Sequence, residues 1–187
     1  MLGLKRGTVT LCPHEKEWET TAAETVGMLK PVFGDIAADI QHVGSTSIRG
    51  IRAKPILDLA VAARDMEAVR EKIPELEAVG VFFRGEDHPG EFLFVMGDFE
   101  NDTRTHHIHV CPAGGVDWRN YLNFRDYMNA HPERAAAYDR LKGELAEKYA
   151  LDRGSYTAGK AEFIARILRE AEAWRCRDAI PSQSTLH

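Results

Sequence analysis

His42-Val43-Gly44-Ser45-Thr46-Ser47-Ile48-Arg49-Gly50-Ile51-Arg52-Ala53-Lys54-Pro55-Ile56-Leu57-Asp58-Leu59-Ala60-Val61 is the stretch whose reading decides the fold. An apolar strand ends in Gly44-Ser45-Thr46-Ser47, a short basic segment with Arg49, Arg52 and Lys54 follows, and a second apolar strand carries one acid, Asp58. This is the layout of a phosphate-binding turn facing a metal-binding carboxylate. Glycine lets the backbone approach an anion closely, and successive N–H groups at the start of a turn offer donors to phosphate oxygens. On a strand through 56–61, Ile56, Asp58 and Ala60 share one face, while Leu57, Leu59 and Val61 take the other. An acid among such neighbours is costly unless it is paired, exposed at a site or metal-bound. Taken singly, the turn reads as a serine-rich connection and Asp58 as a salt-bridged acid. Their combination at this spacing favours phosphate and metal.

Around this stretch the chain divides into a strand-rich and a helix-rich part. Residues 7–11 alternate like a short edge strand, with Val9 and Leu11 on one face. Pro13 sits at a helix start, and Trp18, Ala22, Val26 and Leu29 recur at helical spacing. Residues 36–43 lead into the turn, and 55–63 bear Asp58. Met66, Val69, Ile73 and Leu76 outline an amphipathic helix whose end Pro74 weakens. Strands are expected over 80–84, 91–97 and 104–111, with 85–90 a turn by composition and the last two strands a hairpin around 98–103. From Asp117 the pattern turns helical: about 117–130, stopped by His131-Pro132, then about 133–149, then about 158–174 with Thr157 as N-cap. Residues 175–187 lose periodicity and read as a frayed, flexible tail. The expected fold class is α/β (α+β): a sheet layer over about 7–112 and a helical C-terminal part over about 117–174, in one domain spanning 1–174.

Composition narrows the function classes. A chain of 187 residues can bury a sizeable core. The net charge of −5 argues against broad nucleic-acid binding, which depends on neutralising phosphates with Lys and Arg, but it allows a local basic pocket. No apolar run reaches the roughly 18–20 residues of a membrane span and no signal-peptide core is visible, so a cytoplasmic location without membrane partners is expected. Cys12, Cys111 and Cys176 lie far apart and contain no Cys-x-x-Cys pair, so they read as reduced thiols.

A second constellation stands at Thr105-His106-His107-Ile108-His109-Val110-Cys111. On a strand, Thr105, His107, His109 and Cys111 share one face, opposite His106, Ile108 and Val110. Two imidazoles two positions apart lie about 7 Å apart in Cα terms, close enough to ligate one metal or share one phosphate. A lone histidine reads as buried and hydrogen-bonded; three in four residues favour a site.

Together these residues resemble the GrpB family, a branch of the nucleotidyltransferase superfamily. Gly44-Ser45 looks like the superfamily's turn and Asp58 like the first acid of the following strand. Thr105 to Val110 resembles the family's histidine-rich strand. Phe124-Arg125-Asp126-Tyr127 through His131-Pro132 looks like its helical hinge, and Tyr156-Thr157 with Lys160, Glu162 and Phe163 like its last helix. The resemblance covers roughly 7–170. It implies a nucleotidyltransferase-like mixed sheet flanked by helices, and a metal-dependent transfer of a nucleotidyl group from a nucleoside triphosphate to a small acceptor.

The implied site has Gly44, Ser45 and Thr46 with Lys54 and Lys160 at the phosphates, and Asp58 and His109 as catalytic residues. Asp58, His107 and His109 would ligate Mg²⁺ or Mn²⁺, or Zn²⁺ given the imidazoles. The chain departs from the pattern at Ala60, which stands where the superfamily's second acid would be. His107 or His109 could fill the gap, and Ala60→Asp would restore a shared ion. If neither holds, the pocket is a silent module for a nucleotide or a coenzyme A-like ligand; one relative is fused to dephospho-coenzyme A kinase. A third reading follows from His107-Ile108-His109-Val110-Cys111, which resembles the His-x-His-x-His strand of histidine-triad nucleotide hydrolases with Cys111 in place of the last histidine. Arg49, Arg52, Arg84 and Arg104 are weaker phosphate candidates. Trp118, Tyr121 and Phe124 read as core, and Glu86-Asp87 as a solvated pair.

Overall fold

The structure, a computed structural model, describes residues 2–178. After a short strand β1 (Leu4–Lys5) come helix α1 (Glu17–Phe33), strands β2 (Ala37–Val43) and β3 (Leu57–Ala63), and two single-turn helices, α2 (Met66–Glu71) and α3 (Ile73–Ala78). Strands β4 (Phe82–His88), β5 (Glu91–Met96), β6 (Thr103–Arg104) and β7 (His106–Pro112) follow. Helices α4 (Val116–Ala130), α5 (Pro132–Lys148), α6 (Arg153–Ala158) and α7 (Ala161–Asp178) complete the described chain. Five strands form one mixed sheet in the order β2-β3-β7-β5-β4, in which only β3 and β7 run parallel. This is the expected α/β class.

The alternation of β3 and β7 divides the sheet into two faces. Leu57, Leu59 and Val61 join Ile108 and Val110 beneath Trp18, Leu29 and Phe33 of α1, all at most 1 % exposed. Burying each such side chain stabilises the fold by roughly 1.5–3 kcal/mol. A second cluster (Ile48, Ile51, Tyr127, Met128, Tyr138 and Ile167) binds the segment after the Gly-Ser turn to α4, α5 and α7. The helical part is thereby fixed over the opposite face.

Four local expectations fail for identifiable reasons. Residues 7–11 form no edge strand: the Val9 N–H donates to Ala150 O at 2.9 Å, and only Cys12 makes a bridge, to Ala53. The helix through Met66 and Leu76 breaks at Lys72, because Pro74 occupies the first turn of a new helix, where its missing N–H costs nothing. The turn expected over 85–90 shrinks to Pro89-Gly90, since β4 continues to His88 through two irregularities in its register with β5. Thr157 is not an N-cap. Asp152 caps the preceding α6 instead, its carboxylate accepting the Ser155 N–H at 3.0 Å. Of the expected tail, 175–178 continue α7, and 179–187 lie outside the described residues.

Candidate functional site

Gly44 and Asp58 meet because their strands are paired, with Val43 opposite Asp58 in the antiparallel register. Gly44 has φ +69°, and a Cβ there would stand 2.3 Å from Asp58 Oδ2. Only glycine lets the turn lie on the carboxylate. The chain then makes a 3₁₀ turn over Ser45–Ser47, closed by the Ser47 hydroxyl donating to Gly44 O at 2.7 Å. Thr46 is buried, and its hydroxyl is 2.8 Å from His42 Nε2. Burial lowers His42 to about 4, so that ring stays neutral.

The parallel register sets Asp58 beside His107 and Ala60 beside His109. His107 Nδ1 lies 3.1 Å from Asp58 Oδ1, and its Nε2 lies 3.1 Å from Arg153 Nη2. The guanidinium can only donate, so His107 accepts at Nε2 and donates from Nδ1 to the carboxylate. Against the opposing effect of burial, that bond and the neighbouring positive charges hold Asp58 at about 2. His109 donates from Nδ1 to Glu91 Oε1 at 2.8 Å. Glu91 is 1 % exposed and also receives the Tyr121 hydroxyl, 3.0 Å from each oxygen. Burial disfavours charge on both partners of this pair, yet the bond between them raises His109 and lowers Glu91.

The third histidine does something else. His106 points to the α1 side, buried between the hydroxyls of Thr25 (3.1 Å) and Thr105 (2.9 Å). Burial lowers it to about 4, a neutral core residue.

Opposite Asp58 stands a basic wall. Lys54 and Lys160 lie 5.5 and 4.6 Å from the centre of the Tyr156 ring, with Arg153 beside them. Burial, and then mutual repulsion with Arg153 and Lys160, pushes Lys54 down to about 8. Burial likewise lowers Lys160. Among the described residues, neither lysine is ion-paired. The other cations are committed elsewhere. Arg49 lies 3.7 Å from Glu19, Arg52 pairs with Asp139 at 3.0 Å, and Arg84 and Arg104 lie over the Phe99 ring.

Gly44, Ser45, Thr46, Lys54, Asp58, His107, His109 and Lys160 thus line one cleft of about 440 Å³. A more apolar chamber of about 310 Å³ adjoins it, sharing Gly44, Ser45, Asp58, Tyr121 and Lys160. Phe124, Tyr138, Ile164 and Leu168 line that chamber, so Tyr121 and Phe124 are cavity walls rather than plain core. The pair Glu86-Asp87 splits: Glu86 bonds Arg70 at 2.9 Å, and Asp87 faces the cleft.

Glu91, Arg153 and Tyr121 were not legible as site residues. One signal existed: Glu91 has the parity of Leu93, which pairs with His109 across the sheet. An acid heading a strand on a histidine face is a candidate partner.

The donor atoms test the expected metal ligands. Asp58, His107 and His109 do not converge as a three-donor group among the described residues, and both nitrogens of His107 are engaged. Ala60 is fully buried, with α4 packed on this face of β3 and β7, so a carboxylate there would be desolvated rather than shared. Of the three expected ligands, Asp58, 29 % exposed, offers the cleft a free carboxylate oxygen beside the turn. That fits an ion held mainly by phosphate oxygens with one protein ligand.

Comparison with known proteins defines the class first. The fold is nucleotidyltransferase-like: a structure of the Cid1 poly(U) polymerase bound to MgATP superposes with a TM-score of 0.52 at 10 % identity, covering 72 % of this chain and 44 % of that one. The chain belongs to the GrpB family, whose model, described as GrpB protein, matches residues 8–170. It is 38 % identical over 173 residues to the glutamate-rich protein GrpB of Alkalihalophilus pseudofirmus, covering 91 % of this chain and 99 % of the relative. The crystal structure of GrpB from Enterococcus faecalis superposes with a TM-score of 0.81 at 28 % identity, covering 88 % and 99 % of the two chains. No helix among the described residues is long and apolar enough to cross a membrane.

Proposed function

We propose that the cleft binds a nucleoside triphosphate with a divalent metal and transfers its nucleotidyl group to a small acceptor. The observation that carries this is the pairing of the half-buried carboxylate of Asp58, under the Gly44-Ser45 turn, with Lys54 and Lys160 across the same cleft, which have no ion pair among the described residues. A triphosphate supplies the charge those cations lack. The turn's backbone and the Ser45 hydroxyl bind phosphate oxygens, and Lys54, Lys160 and Arg153 neutralise them. Asp58 would hold Mg²⁺ or Mn²⁺, which when bound offsets phosphate charge. His107 keeps Asp58 oriented and ionised.

In the transfer, an acceptor hydroxyl attacks the α-phosphorus, the bond to the β-phosphate oxygen breaks, and pyrophosphate leaves. The proton released from the hydroxyl goes to His109 Nε2, whose lone pair is fixed because Nδ1–H is committed to Glu91. The chamber beside Tyr121 and Phe124 receives the acceptor. Nucleoside triphosphates and free thiols both suit a cytoplasmic location for this activity.

A catalytically silent module for a nucleotide or a coenzyme A-like ligand is the second reading, and Ala60 is the observation that favours it. The histidine-triad reading is weakened at Cys111, which stands in for the last histidine: it is fully buried, and burial pushes its thiol up to about 12. The test is incubation with α-phosphate-labelled triphosphates, Mg²⁺ and a small-molecule extract. The transferase reading gives a labelled product with pyrophosphate release and no label on the protein. Binding without pyrophosphate release leaves the module, and label retained on a histidine overturns both.

A further inference from the structure

We infer that His88, Glu91 and Asp117 form a second metal site, outside the phosphate cleft, that takes a zinc ion with one position left to water. The three residues come from the end of β4, the start of β5 and the first turn of α4. Their ligand atoms lie within 4.8 Å of one another. His88 Nε2 stands 3.6 Å from Glu91 Oε2 and 3.7 Å from Asp117 Oδ1. Both separations are too long for hydrogen bonds. Ligand atoms about 2.1 Å from a tetrahedral ion lie about 3.4 Å from each other, so the spacing suits an ion between them.

Two further observations point the same way. His88 Nδ1 faces the Pro89 carbonyl at 3.4 Å and can donate there only as N–H, which leaves a neutral ring's lone pair on Nε2, aimed between two carboxylates. Glu91 is held rigidly: 1 % exposed, it takes His109 on Oε1 and Tyr121 on both oxygens, while Oε2 keeps a lone pair toward His88. One imidazole and two carboxylates suit zinc, with Mn²⁺ next. The ion would clamp the β4–β5 turn to α4, and Glu91 would link it to His109, holding the metal through Oε2 and the histidine through Oε1. The alternative group of Asp87, Glu91 and His109 would have to break the 2.8 Å bond already joining two of its members.

The experiment is calorimetric titration of the metal-free full chain with Zn²⁺ alone, and Co²⁺ absorption to report tetrahedral geometry. One ion per chain is expected, with His88→Ala and Asp117→Asn each weakening it by at least tenfold and Asp58→Asn leaving it unchanged. His88 is 45 % exposed, so its loss leaves the fold intact. No binding by the natural chain overturns the site. So does loss with His109→Ala and Asp87→Asn but not with His88→Ala. Triphosphate binding is read separately with Mg²⁺ in the zinc-free protein, so failure here leaves the transferase reading standing.

Discussion

On the α1 side of the sheet, His106 is held by two threonine hydroxyls and stays neutral; one residue further along the same strand, His107 donates a hydrogen bond to Asp58, and His109 donates one to Glu91. The residue type is the same and the backbone continuous. What differs is the face: the strand's period of two sends His106 under α1 and the other two toward the cleft. Apolar packing organises one side, and the other is organised by buried carboxylates that ionise because histidine donates to them. The cleft side therefore carries both the chemistry and the sharper penalty for an unpaired group.

That contrast gives an ordered set of expectations. The largest effect should come from Glu91→Ala, which strands His109 and the Tyr121 hydroxyl around a buried gap. Breaking such a pair costs roughly 3–5 kcal/mol, read as a fall in unfolding free energy in urea. A loss under 1 kcal/mol would mean that the cleft network carries little stability. On the other face, Ile108→Ala should cost about 2–5 kcal/mol by leaving a cavity, yet a variant still folded should bind triphosphate normally. Altered affinity would show that the two faces are not independent.

The histidines should also titrate with opposite signs. His106 is depressed from 6.5 to about 4, so its contribution is present above pH 6.5 and is lost as pH falls from there toward 4. Linkage puts that loss on the order of 3 kcal/mol. His109 is raised, so its contribution is full below pH 6.5 and is lost as pH rises through its folded value. Imidazole resonances followed by NMR across pH 4–8 distinguish the two. Equal values for both rings would erase the difference between the faces.

The parts that strand parity and local chemistry control were legible in the sequence. Gly44 beside Asp58 follows from a turn between paired strands, and the division of His106 from His107 and His109 follows from alternation. Contacts made by the helical layer were not legible. Arg153 reaches His107 from a helix 46 positions away, and no local pattern marks it. Ala60 looked like an open place for a second acid, because sequence alone does not show α4 covering it. Arg52, adjacent to the turn in sequence, is turned away by its bond to Asp139 on α5.

Calorimetric titration of ATP with Mg²⁺ into the natural chain, Ser45→Ala, Asp58→Asn and Arg52→Ala tests the central claim most directly. The account predicts binding to the natural chain and losses of about 1.5–3 kcal/mol, roughly 10- to 100-fold, for Ser45→Ala and Asp58→Asn. Arg52→Ala should bind like the natural protein. Equal affinities across all four proteins, or no binding to any, would contradict the assignment of this cleft to a nucleoside triphosphate.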